Sequence, residues 1–485
     1  MCSLFSKFSH KESAFEKRVN MYRFRRVENL IGKYEELENQ QIYFADLAEL
    51  NDPMEGMRRY FWQGDRIVWE NFFKHYLLCM EHVIFFARLS PDESKIKKGD
   101  IPIFKSEATL PTEIYRGRIK KINNQFFNNE FVQSYLDFII KNPNRIYIEE
   151  MYIHLKILSH VAINSILEID IEEGLISDRV NNENRMVFDL KKNWESHKVT
   201  EESYVTLKKS IETLHGIMKS QESILQHMYR ESPKLQSILI EFTQMYLDSI
   251  VELTYPKAYV ACFMDNCTDS SIWGTYGDNH TGVCLKFRVD NESEPYLTLK
   301  TPIGVSSNTG KVYNYVNHDL KSIDYSSDFG DLDFFKNLGT LSLGQLKEQW
   351  YTNENGELSI CGKQLFANKD EWRSAYWSEY EAGFLKKLPS WAHEKEYRII
   401  IKSSLSSFDN AEDRVLEYKF ESLEAIIFGM KTSQEHRSKI IEIVVKKCKE
   451  LQVEKFDFFE MTYSNTTGSL FQRKLYSVVK GQLQF

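Results

Sequence analysis

Between residues 391 and 401 the chain reads W-A-H-E-K-E-Y-R-I-I-I. Strand side chains alternate between faces, so Glu394, Glu396 and Arg398 are expected to point one way and Lys395, Tyr397, Ile399 and Ile401 the other. Two carboxylates and a guanidinium then share one surface. The segment M-Y-R-F-R at 21–25 obeys the same rule, with Tyr22 and Phe24 entering a core while Arg23 and Arg25 emerge together on the opposite face. Arginine offers a rigid fork of donors that suits phosphate or carboxylate and stays charged wherever it sits. A phosphate-bearing ligand beside catalytic carboxylates is one reading. The other is a set of cross-strand ion pairs on a solvated sheet face, each contributing well under ~1 kcal/mol.

A second group lies in S-I-W-G-T-Y-G-D-N-H-T-G-V-C-L-K-F, where Trp273, Tyr276 and His280 stand among glycines ahead of a strand. Aromatic rings beside glycines make a stacking surface that another group can approach closely; the same rings can equally pack into a core. Cys262, Cys267, His280 and Cys284 form a C-x4-C-x12-H-x3-C string, but Cys262 and Cys284 fall within expected strands, where cysteine behaves as a small buried hydrophobe. No metal site is expected. A P-loop, H-E-x-x-H, G-x-S-x-G and a dinucleotide-binding G-x-G-x-x-G are all missing, which demotes P-loop NTPases, zinc proteases, serine hydrolases and Rossmann dehydrogenases. A metal-dependent nuclease could draw on Asp52, Glu394 and Glu396, although E-K-E stands where an acid-x-Lys signature is expected.

The elements that must position these groups fall into three stretches. Residues 21–56 read as strand, helix, strand and turn, and Asn51-Asp52-Pro53 marks an ordered turn, since Asp before Pro is pushed from the α region. Residues 62–254 carry helical patterns broken at Ser90-Pro91, Asn142-Pro143 and Ser232-Pro233. The last of these helices has Ser232 as N-cap, Pro233 at its first position and an apolar stripe of Leu235, Ile238, Leu239, Phe242, Met245 and Tyr246. From 255 onward strand texture returns in A-Y-V-A-C-F, G-V-C-L-K-F-R-V, K-V-Y-N-Y, E-Y-R-I-I-I and L-E-A-I-I-F-G, which together suggest one mixed sheet. Thr432 with Glu435 makes a capping box for a helix over 433–451, and a late strand follows. The expected fold is α+β: a mixed β-sheet domain formed by the N- and C-terminal parts (21–61 and 255–485), interrupted by a large α-helical insertion (62–254), with 1–20 as an N-terminal segment.

The 485 residues carry 62 Lys+Arg against 70 Asp+Glu, a net charge of -8, so no global basic field exists to hold a nucleic-acid backbone. Nucleic acid could bind only at a local patch. Seven scattered cysteines are unlike a secreted disulfide scaffold and point to the cytoplasm. The start lacks a signal-peptide pattern, and no apolar run approaches the ~18 residues of a membrane helix, so no membrane association is expected.

Several stretches resemble the bacterial proteins grouped as domain of unknown function 2971: Y-R-F-R at 22–25, I-Y-F-A and N-D-P-M-E within 42–55, A-C-F and W-G-T-Y-G-D-N-H-T-G-V-C-L-K-F within 261–287, K-V-Y at 311–313, K-L-P-S-W-A-H-E-K-E-Y-R at 387–398 and A-I-I-F-G at 425–429. The opening is more loosely similar to ADP-ribosyltransferase domains, with a strand-one arginine and a later E-x-E strand. That second resemblance implies NAD as substrate, Glu396 as the catalytic carboxylate and Glu394 orienting or deprotonating the acceptor. Arg23 or Arg25 would hold pyrophosphate, Tyr276 or Trp273 would stack on a base or on nicotinamide, Asn51 and Asp52 would shape the rim, and His280 and Arg398 would complete the binding surface. A Ser-Thr-Ser strand of that pattern is missing here. The function so implied is NAD-dependent ADP-ribosyl transfer to a macromolecular acceptor, or NAD hydrolysis, in a toxin or anti-phage effector. The rivals are a nucleotide-sensing or protein-interaction module whose helices bind a partner, and a metal-dependent nuclease.

Overall fold

A computed structural model of the chain describes residues 19–89, 95–176, 201–289, 293–306, 310–403 and 408–484. The N-terminal segment 1–20, except its last two residues, and the Ser90-Pro91 break lie outside the described residues. Contacts divide the chain into two compact units, one made of residues up to 57 with 257–328 and 381–485, the other of 58–256 with 329–380. The architecture is α+β.

The first unit is built on a nine-stranded mixed sheet. Its strands are β1 (Val19–Arg25), β2 (Ala258–Met264), β3 (Val283–Val289), β4 (Lys321–Ser322), β5 (Glu396–Lys402), β6 (Leu423–Phe428), β7 (Lys455–Ser464), β8 (Ser469–Val479) and β9 (Gln482–Gln484). They lie in the order β9-β8-β7-β6-β3-β1-β2-β5-β4. Only β6 and β7 run parallel; the other neighbours are antiparallel. Because β1 and β5 flank β2, their side chains sit two strand spacings apart, ~9.5 Å. Tyr22 and Glu396 are both in register with Met264, and Arg398 is in register with Cys262. This places the two chemistry-bearing strands on either side of one central strand.

Both sheet faces are covered. Met21, Phe263, Leu285, Ile399 and Phe428 pack with Ile440 and Val444 of the helix Gln434–Glu450 on one side. Phe24, Met264, Ile272, Trp273 and Met461 form a smaller cluster on the other. The face of β1 that carries Arg23 is therefore not the exposed surface that alternation alone suggests; Arg23 is only 8% exposed.

Four local expectations change. K-V-Y-N-Y belongs to a separate four-stranded sheet, where Gly310–Asp319 pairs with Tyr296–Ser306 in a hairpin and Gln41–Tyr43 pairs with Val415–Tyr418. The helix expected after β1 is one π-type turn, Glu28–Gly32, because Glu35 and Gln40 take positive φ of 49° and 54°, which a right-handed helix cannot continue. Ser433, not Thr432, caps the helix Gln434–Glu450 by accepting from the His436 amide, while the Thr432 hydroxyl donates to the Gly282 carbonyl at 2.8 Å. The helix after Ser232 is interrupted by a π turn, Ser237–Glu241, which rotates its apolar stripe: Phe242 and Tyr246 are buried and Leu235 is exposed.

The second unit is mainly helical, with long helices Arg66–Leu89, Glu113–Phe127, Glu130–Lys141, Ile148–Glu172 and Glu201–Met228. It also contains a three-stranded sheet of Asp331–Asp333, Arg59–Trp62 and Ile146–Tyr147, and its core takes in Phe334, Phe335 and Trp350 from beyond the sequence segment 62–254. Among the described residues no helix is long and apolar enough to cross a membrane.

Candidate functional site

Within the sheet unit, a cavity of about 670 Å³ opens over β1 and β2 and is bordered by Arg23, Arg25, Asn51, Glu55, Tyr276 and Glu396, among others. One wall is a buried charge cluster. The Lys387 ammonium, 1% exposed, contacts Glu394 at 2.7 Å and Glu55 and Glu396 at 3.0 Å each, and lies 4.8 Å from the centre of the Trp391 ring. Arg398 donates Nε to Glu396 at 2.7 Å and a second, longer bond of 3.2 Å from Nη2, which also meets Glu55; its Nη1 donates to the Phe384 carbonyl at 2.9 Å. Three carboxylates thus share two cations out of water.

The sequence produces this convergence in two ways. Glu396 and Arg398 share a face because they alternate along β5. Glu394 is not on the strand; it ends a 3-10 turn, Pro389–Glu394, and left-handed Lys395 (φ 47°) turns it back toward the same cluster. Burial raises the Glu396 carboxyl, but Arg398 and Lys387 outweigh it and the group titrates at about 2. Burial holds Glu55 above its ordinary value, opposed by Arg398 and Lys387 and reinforced by the Glu396 charge. The difference follows from geometry, since the Arg398 fork faces Glu396 with two donors and Glu55 with one. Burial likewise holds the Tyr276 phenol well above its ordinary value, with Lys387 opposing and Glu394 reinforcing.

The other candidate residues take varied places. Arg23 donates Nη1 to the Cys262 carbonyl and Nη2 to the Tyr43 carbonyl, both at 3.0 Å, and burial, with Arg25 nearby, lowers it to about 10, so it stays charged at neutral pH. Arg25 borders the cavity but its fork is engaged by Glu36. Asn51 is exposed at the rim, whereas Asp52 is buried and does not border the cavity; its Oδ1 accepts from the Met54 amide at 2.9 Å, which orders the turn, while its Oδ2 is buried without a hydrogen-bond partner. Trp273 is in the core, edge-on to Phe24 and donating Nε1 to the Cys267 carbonyl at 2.7 Å. His280 lies nearly parallel to Trp273 at 6.4 Å, and neither borders the cavity. Glu394 and Arg398 stand behind its wall.

Glu55, Lys387 and Glu36 also border the cavity, and strand alternation does not find them. The available signal lay in the motifs themselves: N-D-P-M-E ends on Glu55 and K-L-P-S-W begins on Lys387. Among the described residues no cluster of His, Cys, Asp and Glu has the arrangement of a metal site, and the three carboxylates here already converge on an ammonium.

No curated protein and no solved structure matches the chain. The family model described as protein of unknown function (DUF2971) matches residues 272–399, which include Tyr276, Lys387, Glu394, Glu396 and Arg398, so over this stretch the chain is similar to the DUF2971 family that its motifs resemble.

Proposed function

We propose that the cavity is an ADP-ribosyltransferase-like site that uses NAD, with Glu396 as the carboxylate that stabilises the reacting ribose. The reading is carried by one juxtaposition: a carboxylate held ionised at neutral pH, Glu396, and a buried guanidinium, Arg23, border the same cavity. Breaking the nicotinamide–ribose bond builds positive charge on the sugar, and a preorganised carboxylate lowers that barrier electrostatically. Arg398 and Lys387 fix Glu396 so that it need not reorient. Arg23 uses two of its five N–H donors on carbonyls, leaving others for a pyrophosphate oxygen. With Arg25 held by Glu36 and Trp273 in the core, Arg23 is the anion-binding candidate and Tyr276 the stacking one. The acceptor is water or a macromolecule, the latter fitting a toxin or anti-phage effector.

A second reading, nucleotide binding without turnover, is favoured by the same cations, because a carboxylate held by Lys387 and Arg398 has less charge to offer a cationic sugar. Incubating the protein with NAD and measuring free nicotinamide separates the two. The first reading expects release that falls at least ~10²-fold in Glu396→Gln. Release unchanged by the substitution removes Glu396 from catalysis, and NAD binding without release supports the sensor.

A further inference from the structure

The geometry points to a second catalytic carboxylate, and we propose that Glu55 is the base that takes the proton from the attacking acceptor hydroxyl or water. This rests on the NAD-using reading of the cavity. The E-x-E pattern assigns that duty to Glu394, but Glu394 does not border the cavity: one of its oxygens is bound to Lys387 and the other, Oε1, is buried without a hydrogen-bond partner. Glu55 does border it, and its backbone is held in place by the Asp52 turn, whose carbonyl accepts from the Glu55 amide at 3.1 Å.

Glu55 and Glu396 bind one ammonium at 3.0 Å each, so those oxygens are no more than about 6 Å apart, and the two carboxylates border the cavity side by side, as a pair acting on one glycosidic centre must. Their surroundings separate their duties. Glu396, with both Arg398 donors, stays charged throughout the working range, while Glu55, buried and facing Lys387, Arg398 and the Glu396 charge, is the member shifted toward accepting a proton. In the step itself the C1′–N bond to nicotinamide breaks and its electron pair leaves with nicotinamide, which departs neutral. An acceptor oxygen lone pair forms the new C1′–O bond, and the proton of that oxygen passes to the Glu55 carboxylate and then to bulk water. No oxidant or reductant is needed.

A base must be deprotonated to act, so activity falls as pH drops through the Glu55 pKa. The test is the pH profile of nicotinamide release by wild type, Glu55→Gln and Glu55→Asp, with the folded state of each checked by thermal unfolding. Glu55→Gln is expected to lower kcat by ~10²–10³-fold with little change in KM and to remove the acid limb, while Glu55→Asp restores part of the rate and keeps the limb. Glu55→Gln with wild-type kcat, or with reduced kcat and an unaltered acid limb, overturns the assignment and leaves the Glu396 reading standing. If Glu55→Gln does not fold, Glu55→Asp decides: loss of the acid limb in that carboxylate-bearing variant overturns it. Absence of nicotinamide release from wild type overturns the NAD reading and Glu55 with it.

Discussion

Lys387 is the residue on which the charge cluster turns. Its ammonium is the partner of Glu394 and one of two partners for Glu55 and Glu396, all buried. Removing one partner of a buried ion pair leaves charge uncompensated in low dielectric, a cost of about 3–5 kcal/mol. Lys387→Met should lower stability by that order, read as a fall in the urea midpoint. Adding Glu394→Gln should return part of the loss, because it deletes the carboxylate for which Arg398 supplies no contact. A double variant no more stable than Lys387→Met would show that Glu394 is not the strained member. At this scale the Glu396–Arg398 pairing was legible, since it follows from alternation along β5. The claim of Glu36 on Arg25 was not: complementarity between a strand and a turn eleven positions on is a property of the folded backbone.

The element that delivers Glu394 is a turn, not a strand. Lys395 sits at φ 47°, where a residue with a Cβ pays about 1–2 kcal/mol relative to glycine. Lys395→Gly should therefore be neutral or stabilising by up to ~1 kcal/mol, once the extra entropy of glycine in the unfolded chain is counted, and Lys395→Val should destabilise. Thermal unfolding of the two variants checks the sign, and a stable Lys395→Val would contradict the geometry. A close backbone approach gives a second case. A Cβ at Gly429 would lie 2.2 Å from the His280 carbonyl oxygen and 2.9 Å from that of Gly282, neither of which can swing away as a side chain could. Gly429→Ala should cost more than ~2 kcal/mol, the scale at which forced overpacking is felt. The A-I-I-F-G motif was readable as a strand with a terminal glycine; that the glycine admits another segment's backbone was not, because the sequence does not show what lies across the turn.

At the scale of the whole molecule, alternating strand and helix texture was enough to read an α+β fold, but texture does not say which core a segment joins. Phe334, Phe335 and Trp350 pack with the helices of residues 66–172, a choice settled by three-dimensional complementarity rather than by any local period. That helical unit also contains a group whose titration should govern its response to acid. His75 bonds Tyr246 Oη at 2.9 Å through Nδ1 and the Ile103 carbonyl at 2.8 Å through Nε2. Burial lowers its pKa from 6.5 to about 4, against the Ile103 bond, which raises it; burial displaces His82 and His160 in the same direction, with Lys105 and Lys156 adding to it. Below pH 6.5 the unfolded chain then binds more protons than the folded one, so the stability His75 contributes is present above pH 6.5 and is lost as pH falls toward 4. The amount for His75 is of order 3 kcal/mol. Glu396, also displaced downward, loses its contribution only at lower pH, between 4.5 and about 2. Urea unfolding followed at pH 7.5, 6 and 5 should therefore show a declining midpoint before the Glu396 window is reached. His75→Gln, which can still bond but cannot gain a proton, should flatten part of that decline even if it lowers the midpoint at pH 7.5; an equal slope in the variant and wild type would remove His75 as a source of the acid sensitivity.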